Sequence, residues 1–380
     1  MGSDITVDDC KVQGAINITE ETLEQIFSQV DTFIITIVVP IILGLGLLIN
    51  LLLLFVFLRV PRLRSETDVY LAHLALSDVI YLIVRSAHDI WRFVASPLLW
   101  DEPFSSSAGC VLYNFAFQTP FAASMAFVTV VSFERYLALC HPIQHLKIRS
   151  RRRTYKMVAI CWGIGVVFAV LITPNFAKYG VKCLRWPEED MYIGLPSHRA
   201  YCTYIFGWTE YISEPLTNIP WCIAMIGNVY MYARIIHMLN KRKGVKAEGK
   251  TVKANSKARE IRNQVAKMLV VNGIVFFLCQ APFATLNLSA WICQILGIDS
   301  PLDEAFGVHV DWMVLIPLRI NTFVNPLIYC AFNSQYRAAF IQAFGCNRRR
   351  QGQHSTNHPT HVNRYASRSV CPTETDNTRL

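Results

Sequence analysis

Seven stretches of this chain are each long and apolar enough to cross a lipid bilayer, and no other feature limits its fold so strongly. A membrane helix needs about 20 mostly apolar residues to span about 30 Å of hydrocarbon. The runs cover 33–58, 69–94, 110–139, 155–172, 204–238, 265–293 and 308–332. The first carries no charge, and the fifth is the most interrupted, by Glu210, Glu214, Pro215, Asn218 and Pro220. Composition agrees: 53% of residues are hydrophobic and only 17% charged, where a soluble domain carries about 25% charged residues. Long helical runs without alternating segments exclude a membrane β-barrel. The expected fold is an all-α membrane protein, a seven-transmembrane helix bundle with a short amphipathic eighth helix. The expected segments are an extracellular stretch over 1–32, the bundle over 33–332, the eighth helix over 333–346 and a disordered cytoplasmic tail over 347–380.

Loop charge predicts the orientation, because cytoplasmic loops are rich in Lys and Arg. Twenty such residues follow the odd-numbered runs, and five lie on the other side. The N-terminus is therefore expected outside, and the net charge of +9 is mostly this asymmetry. Nucleic-acid binding is the rival reading of so basic a chain and is set aside. No basic segment leading into an apolar one precedes Thr32, so the first run is expected to act as the insertion signal. Asn17-Ile18-Thr19 is a glycosylation sequon on the expected outer segment.

Charged and polar groups inside membrane helices are costly and mark function. Asp78 stands in Leu74-Ala75-Leu76-Ser77-Asp78, and Glu134-Arg135-Tyr136 lies near the end of the third run. Asn325-Pro326-Leu327-Ile328-Tyr329 lies in the seventh, Asn50 in the first and Trp162 in the fourth. Cys110 and Arg135 are 25 residues apart on one helix, about 37 Å at the helical rise. A thiol thus stands at the outer face and an acid–arginine pair at the inner face. Cys110 is expected in a disulfide to the second outer loop, where Cys183 and Cys202 compete.

These residues in this order, with Pro220 and Pro282, resemble the rhodopsin-like G-protein-coupled receptors over about 33–346. The wording around Asp78 and the long second outer loop are most similar to neuropeptide receptors. The resemblance favours Cys202 as the partner of Cys110, from its spacing of 18 residues to Pro220. Cys10 and Cys293 are a further candidate bridge. It implies a coupling switch of Glu134, Arg135, Tyr136, Asn325, Pro326 and Tyr329, with Arg135 held at rest by Glu134. A second acid common in the sixth helix is replaced by Arg262, which predicts raised basal signalling. Asp78, Asn50, Ser124, Asn321 and Asn325 match an internal sodium site, one carboxylate plus neutral oxygens suiting a small hard cation. A hydrogen-bonded network without an ion is the plainer reading. No other cofactor is expected.

Several positions depart from the family pattern. Gln280 stands where Trp is usual, and Asn228, with Tyr230 nearby, stands where a fifth-helix Tyr is usual. Arg319 occupies the position of the retinal-binding lysine. A guanidinium cannot form a Schiff base, which argues against an opsin. Phe117 replaces the aspartate of amine receptors. The expected ligand pocket comprises Asp89, Asn114, Phe117, Gln118, Phe121, Glu210, Gln280, Trp312 and Arg319. Outer acids and aromatic residues favour a cationic peptide, unless Arg92 and Arg319 pair with Asp89 and Glu210.

Tyr336, Ala339, Phe340 and Ala343 with Phe332 form one apolar stripe of the eighth helix, followed by a palmitoylation candidate, Cys346. The basic third inner loop suits membrane lipid as well as a G protein. Tail serines and threonines suit phosphorylation and arrestin, and Thr378 and Leu380 fit a PDZ ligand. No nucleophile motif or metal spacing points to an enzyme. The rivals are a receptor for a lipid or other small molecule and, in another class, a transporter or channel, for which repeats and a charged pore ring are missing.

Overall fold

A computed structural model describes residues 16–17, 26–61, 65–243, 252–299, 301–307 and 310–345. Among the described residues, seven helices are long and apolar enough to cross a membrane. They are α1 (Gln29–Arg59), α2 (Glu66–Ala95), α3 (Ser107–Cys140), α4 (Arg151–Ile172), α5 (Gly207–Lys243), α6 (Val252–Leu296) and α7 (Val310–Phe332). A shorter α8 (Ser334–Phe344) follows. The all-α seven-helix expectation is met. Two helices are longer than the apolar runs suggested. α5 is continuous through Glu210, Pro215 and Pro220, and α6 begins at Val252, inside the expected inner loop.

Local chemistry sets the ends. Ser28 and Ser65 open α1 and α2 with reciprocal caps: each hydroxyl accepts from the backbone of Asp31 or Asp68, whose carboxylate accepts from the serine backbone at 2.9 Å. The first turns of α1 widen into a π-helix over Ile34–Val38 just before Pro40, whose missing N–H cannot serve the regular ladder.

Leu45, Leu48, Leu51 and Phe55 on α1 and Val167, Val170 and Leu171 on α4 are exposed, a lipid-facing surface. Leu53, Leu74, Phe127, Met268, Phe276 and Tyr329 fill the interior. Lipid tails are as apolar as these side chains, so close fit holds such helices together. Gly165 shows it: a Cβ there would strike the Thr119 carbonyl of α3. Gly273 of α6 likewise lies directly against the Tyr232 ring of α5.

Between α4 and α5 the chain forms a hairpin of β2 (Lys178–Arg185) and β3 (His198–Thr203), antiparallel from Lys178 opposite Thr203 to Cys183 opposite His198. A short β1 (Ile16–Asn17) pairs parallel with Leu184 and Arg185. The hairpin is fastened to the bundle. Asp101 accepts from the Ala200 N–H at 2.7 Å, and Cys202 is disulfide-bonded to Cys110 of α3 with Cα atoms 5.8 Å apart. Cys293 is a buried free thiol, so no Cys10–Cys293 bridge forms. Cys183 is also disulfide-bonded. Cys10 lies outside the described residues.

At the opposite end α8 folds back on α1, with Tyr336, Ala339 and Ala343 buried and Phe344 5.6 Å from Phe55. Phe332 departs from the expected stripe and is exposed.

Candidate functional site

The bundle is open at both ends, and α3 runs from one to the other. At the hairpin end lies a cavity of about 370 Å³. Asn114, Phe117, Gln118 and Phe121, four of the expected pocket residues, line it from one face of α3. Its other walls bring together Arg85, His88, Arg92, Trp100, Glu102 and Tyr113. A second cavity of about 240 Å³ shares Arg85, Arg92 and Trp100 and reaches Asp311 and Trp312. The Trp312 indole donates to Asp31 at 2.6 Å, tying α7 to the start of α1.

Asp89 and Arg319 do not line either cavity. They form an ion pair between α2 and α7 with side chains 1% and 0% exposed. A carboxylate so engaged offers no free charge to a cationic ligand, which corrects the expected role of Asp89 and removes the firmest support for a cationic peptide. Glu102, the acid at the cavity wall, accepts from His88 at 2.7 Å and lies 3.9 Å from Arg92. The Glu210 side chain lies outside the described residues.

Arg85, absent from the expected set, donates to the Tyr113 hydroxyl and stands 5.7 Å over the Phe117 ring. As a charge inside a membrane helix it carried the same signal as Asp89. Tyr113, stacked 3.8 Å from the His88 ring, had no signal beyond lying one turn before Phe117.

Below this cavity is a smaller one of about 10 Å³, lined by Asp78, Ser124, Gln280, Asn321 and Thr322. Gln280 therefore belongs with Asp78 rather than with the hairpin-end cavity. Asn325 donates to Asp78 at 3.0 Å, and Asn50 donates to the Thr322 carbonyl at 3.0 Å. The side-chain oxygens of Asn50, Gln280, Asn321 and Asn325 are buried without a hydrogen-bond donor. Unsatisfied acceptors around one carboxylate are the donor set a small cation needs.

At the α8 end another cavity of about 370 Å³ is lined by Thr67, Asp68, Glu134, Arg135, His145 and Tyr336 among others. The Glu134 carboxylate does not clasp Arg135. It pairs with Arg153 of α4 at 2.6 Å and faces His145 at 3.6 Å. Arg135 instead donates to the Thr67 hydroxyl of α2. Beside it Tyr336 donates to Asp68 at 2.5 Å. Burial, then the adjacent Asp68 carboxylate, pushes the Tyr336 phenol well above its ordinary pKa. Tyr136 contacts His141 at 3.1 Å. Tyr329 is buried with its ring 5.8 Å from that of Tyr336, and Pro326 lies within α7 one turn earlier.

On α5, Asn228 donates to Thr129 of α3 at 3.0 Å. The tyrosine facing the bundle is Tyr232, 2.7 Å from Ser132; Tyr230 is exposed. The Arg262 side chain, Cys346, Thr378 and Leu380 lie outside the described residues.

Comparison with known proteins agrees with this geometry. Mouse neuromedin-U receptor 2 is 28% identical over 304 residues, covering 78% of this chain and 71% of the relative. Mouse neuromedin-U receptor 1 is 26% identical across 96% of this chain and 86% of its own length. Mouse thyrotropin-releasing hormone receptor is 24% identical across 80% of this chain and 77% of its own length. The family model described as 7 transmembrane receptor (rhodopsin family) matches residues 49–329, and this chain therefore belongs to that family, a multi-pass membrane protein.

Proposed function

We propose that this protein is a plasma-membrane receptor that binds an extracellular peptide at the hairpin end and activates a heterotrimeric G protein at the α8 end. The carrying observation is α3. Its residues Asn114, Phe117, Gln118 and Phe121 wall one cavity, and Glu134 and Arg135 wall the other. The names of the neuromedin-U and thyrotropin-releasing hormone receptors support a peptide ligand. The excess of Lys and Arg at the α8 end supports an extracellular N-terminus, with Asn17 glycosylated.

A peptide library screened on cells expressing the receptor, with calcium and cAMP readouts, tests this. Activation by one peptide class, lost in Arg135→Ala at equal surface expression, is expected. Activation by lipids alone would overturn the peptide assignment.

In the same reading sodium occupies the Asp78 site, held by Asp78, Ser124, Asn321, Asn325, Asn50 and, from its place in this cavity, Gln280. When bound, the ion supplies a positive charge that offsets the buried carboxylate. The purified receptor should melt at higher temperature in sodium chloride than in choline chloride of equal ionic strength. Asp78→Asn should abolish the difference, and an unchanged difference would remove the assignment. The eighth helix and tail complete the proposal: Cys346 as a lipid anchor, tail phosphorylation for arrestin, and Thr378 with Leu380 for a PDZ domain.

A further inference from the structure

The charges around the hairpin-end cavities are unevenly paired. Asp89 and Arg319 neutralise each other beneath it, and Glu102 is held by His88. Two guanidinium groups remain on the wall shared by both cavities, Arg85 and Arg92. Arg92 is 7% exposed, stands 5.6 Å over the Trp100 ring, and among the described residues its nearest carboxylate is the Glu102 oxygen 3.9 Å away. Arg85 has no carboxylate within 4.0 Å among the described residues: its contacts are a phenol and an aromatic face, and Asp89, which acts on it from further away, is already paired with Arg319. Asp311, on the smaller cavity, is engaged in an interaction of its own and pairs with neither arginine. The Nε–H groups of both arginines are buried without an acceptor. A buried guanidinium without a counter-ion is costly, and its planar fork matches a carboxylate.

We propose that the seam between the two cavities is a carboxylate-binding subsite. The ligand's carboxylate, from an acidic side chain or a free C-terminus, accepts from Arg85 with Arg92 as the second cation, while its apolar part lies against Trp100 and Phe283. This rests on the reading of the hairpin-end cavity as the ligand site, and it reverses the charge expected of the ligand from the outer acids.

The test uses the full-length receptor and a peptide library in which every sequence is made with Asp or Glu, with the Asn or Gln isostere, and as free acid or amide. Active peptides should lose at least ~30-fold in potency when one carboxylate is neutralised. The isostere pairs report an acidic side chain, and the acid–amide pairs a C-terminus. Arg85→Gln, at surface expression matched by antibody staining, should cost the carboxylate form the same factor and leave the neutral form unchanged. Arg85→Lys should recover part of it. Peptides that keep full potency when neutralised, or an Arg85→Gln loss equal for both forms, would overturn the subsite while leaving the peptide receptor intact. If no peptide activates, the peptide reading fails alone. N-acetylphenylalanine and its amide then decide the subsite by thermal shift of the purified receptor. Stabilisation by the acid only, lost in Arg85→Gln, upholds it; equal or absent stabilisation overturns it.

Discussion

The two ends of the bundle each enclose about 370 Å³ and each hold an arginine against α2, yet they hold it differently. At the hairpin end Arg319 meets a carboxylate, Asp89, and both side chains are sealed from solvent. At the α8 end Arg135 meets only the hydroxyl of Thr67, because its neighbour Glu134 has been taken by Arg153. Breaking a buried ion pair by removing one partner costs about 3–5 kcal/mol. A hydrogen bond from a charged group to a neutral one is worth about 1.5–3 kcal/mol. The first is a permanent fastening between α2 and α7. The second is weak enough for a binding event to release. A receptor that must keep one end fixed and let the other move needs that asymmetry.

The sharpest way to break this comparison is at the strong end. Asp89→Ala should strand Arg319 and destabilise the receptor by about 3–5 kcal/mol, read as loss of surface expression and of melting temperature. The apolar pair Asp89→Leu with Arg319→Met should recover most of it. A single substitution that leaves the melting temperature unmoved would show that the pair is not a fastening.

Next is the clasp of the hairpin. Cys110→Ser opens a disulfide spanning 92 residues and should cost about 2–5 kcal/mol. Surface expression should fall with no change in signalling per receptor that arrives.

At the weak end the readout changes from stability to basal activity. Thr67→Val frees Arg135 and should raise ligand-independent signalling at least about tenfold, for roughly 1.5 kcal/mol, the low end of a charged hydrogen bond. Glu134→Gln should do less, since Glu134 holds Arg153 rather than Arg135. If Glu134→Gln exceeds Thr67→Val, the adjacent acid is the restraint after all.

The smallest effect belongs to Tyr336→Phe, which removes the 2.5 Å bond to Asp68. A cost of about 1 kcal/mol should appear as a lower melting temperature with surface expression retained.

The sequence made the bundle legible because run length, buried charge and proline position are local signals. Asp78, Glu134, Arg135 and Asn325 are visible as polar residues in apolar runs, and Asn114, Phe117, Gln118 and Phe121 face one cavity because helical spacing turns them together. Pairings were legible only as alternatives. The sequence offers Arg319 as a partner for Asp89, but the two are 230 residues apart, and only the packing of α2 against α7 decides that they meet. The rotation of α6 is equally hidden in the sequence, and it turns Gln280 toward Asp78 rather than the hairpin-end cavity. The β2–β3 hairpin had no clear alternating pattern, since its residues mix lysine, arginine and glycine with apolar side chains. Arg85 was legible in principle, because it breaks an apolar helix as plainly as Asp89 does.

Gly273 has a consequence of another kind. It leaves room for the Tyr232 ring, whose hydroxyl is 2.7 Å from Ser132. A single methyl at that position would act as a wedge against the Tyr232 ring, between α6 and α5. The spacing of these two helices is thus set by an atom the chain leaves out.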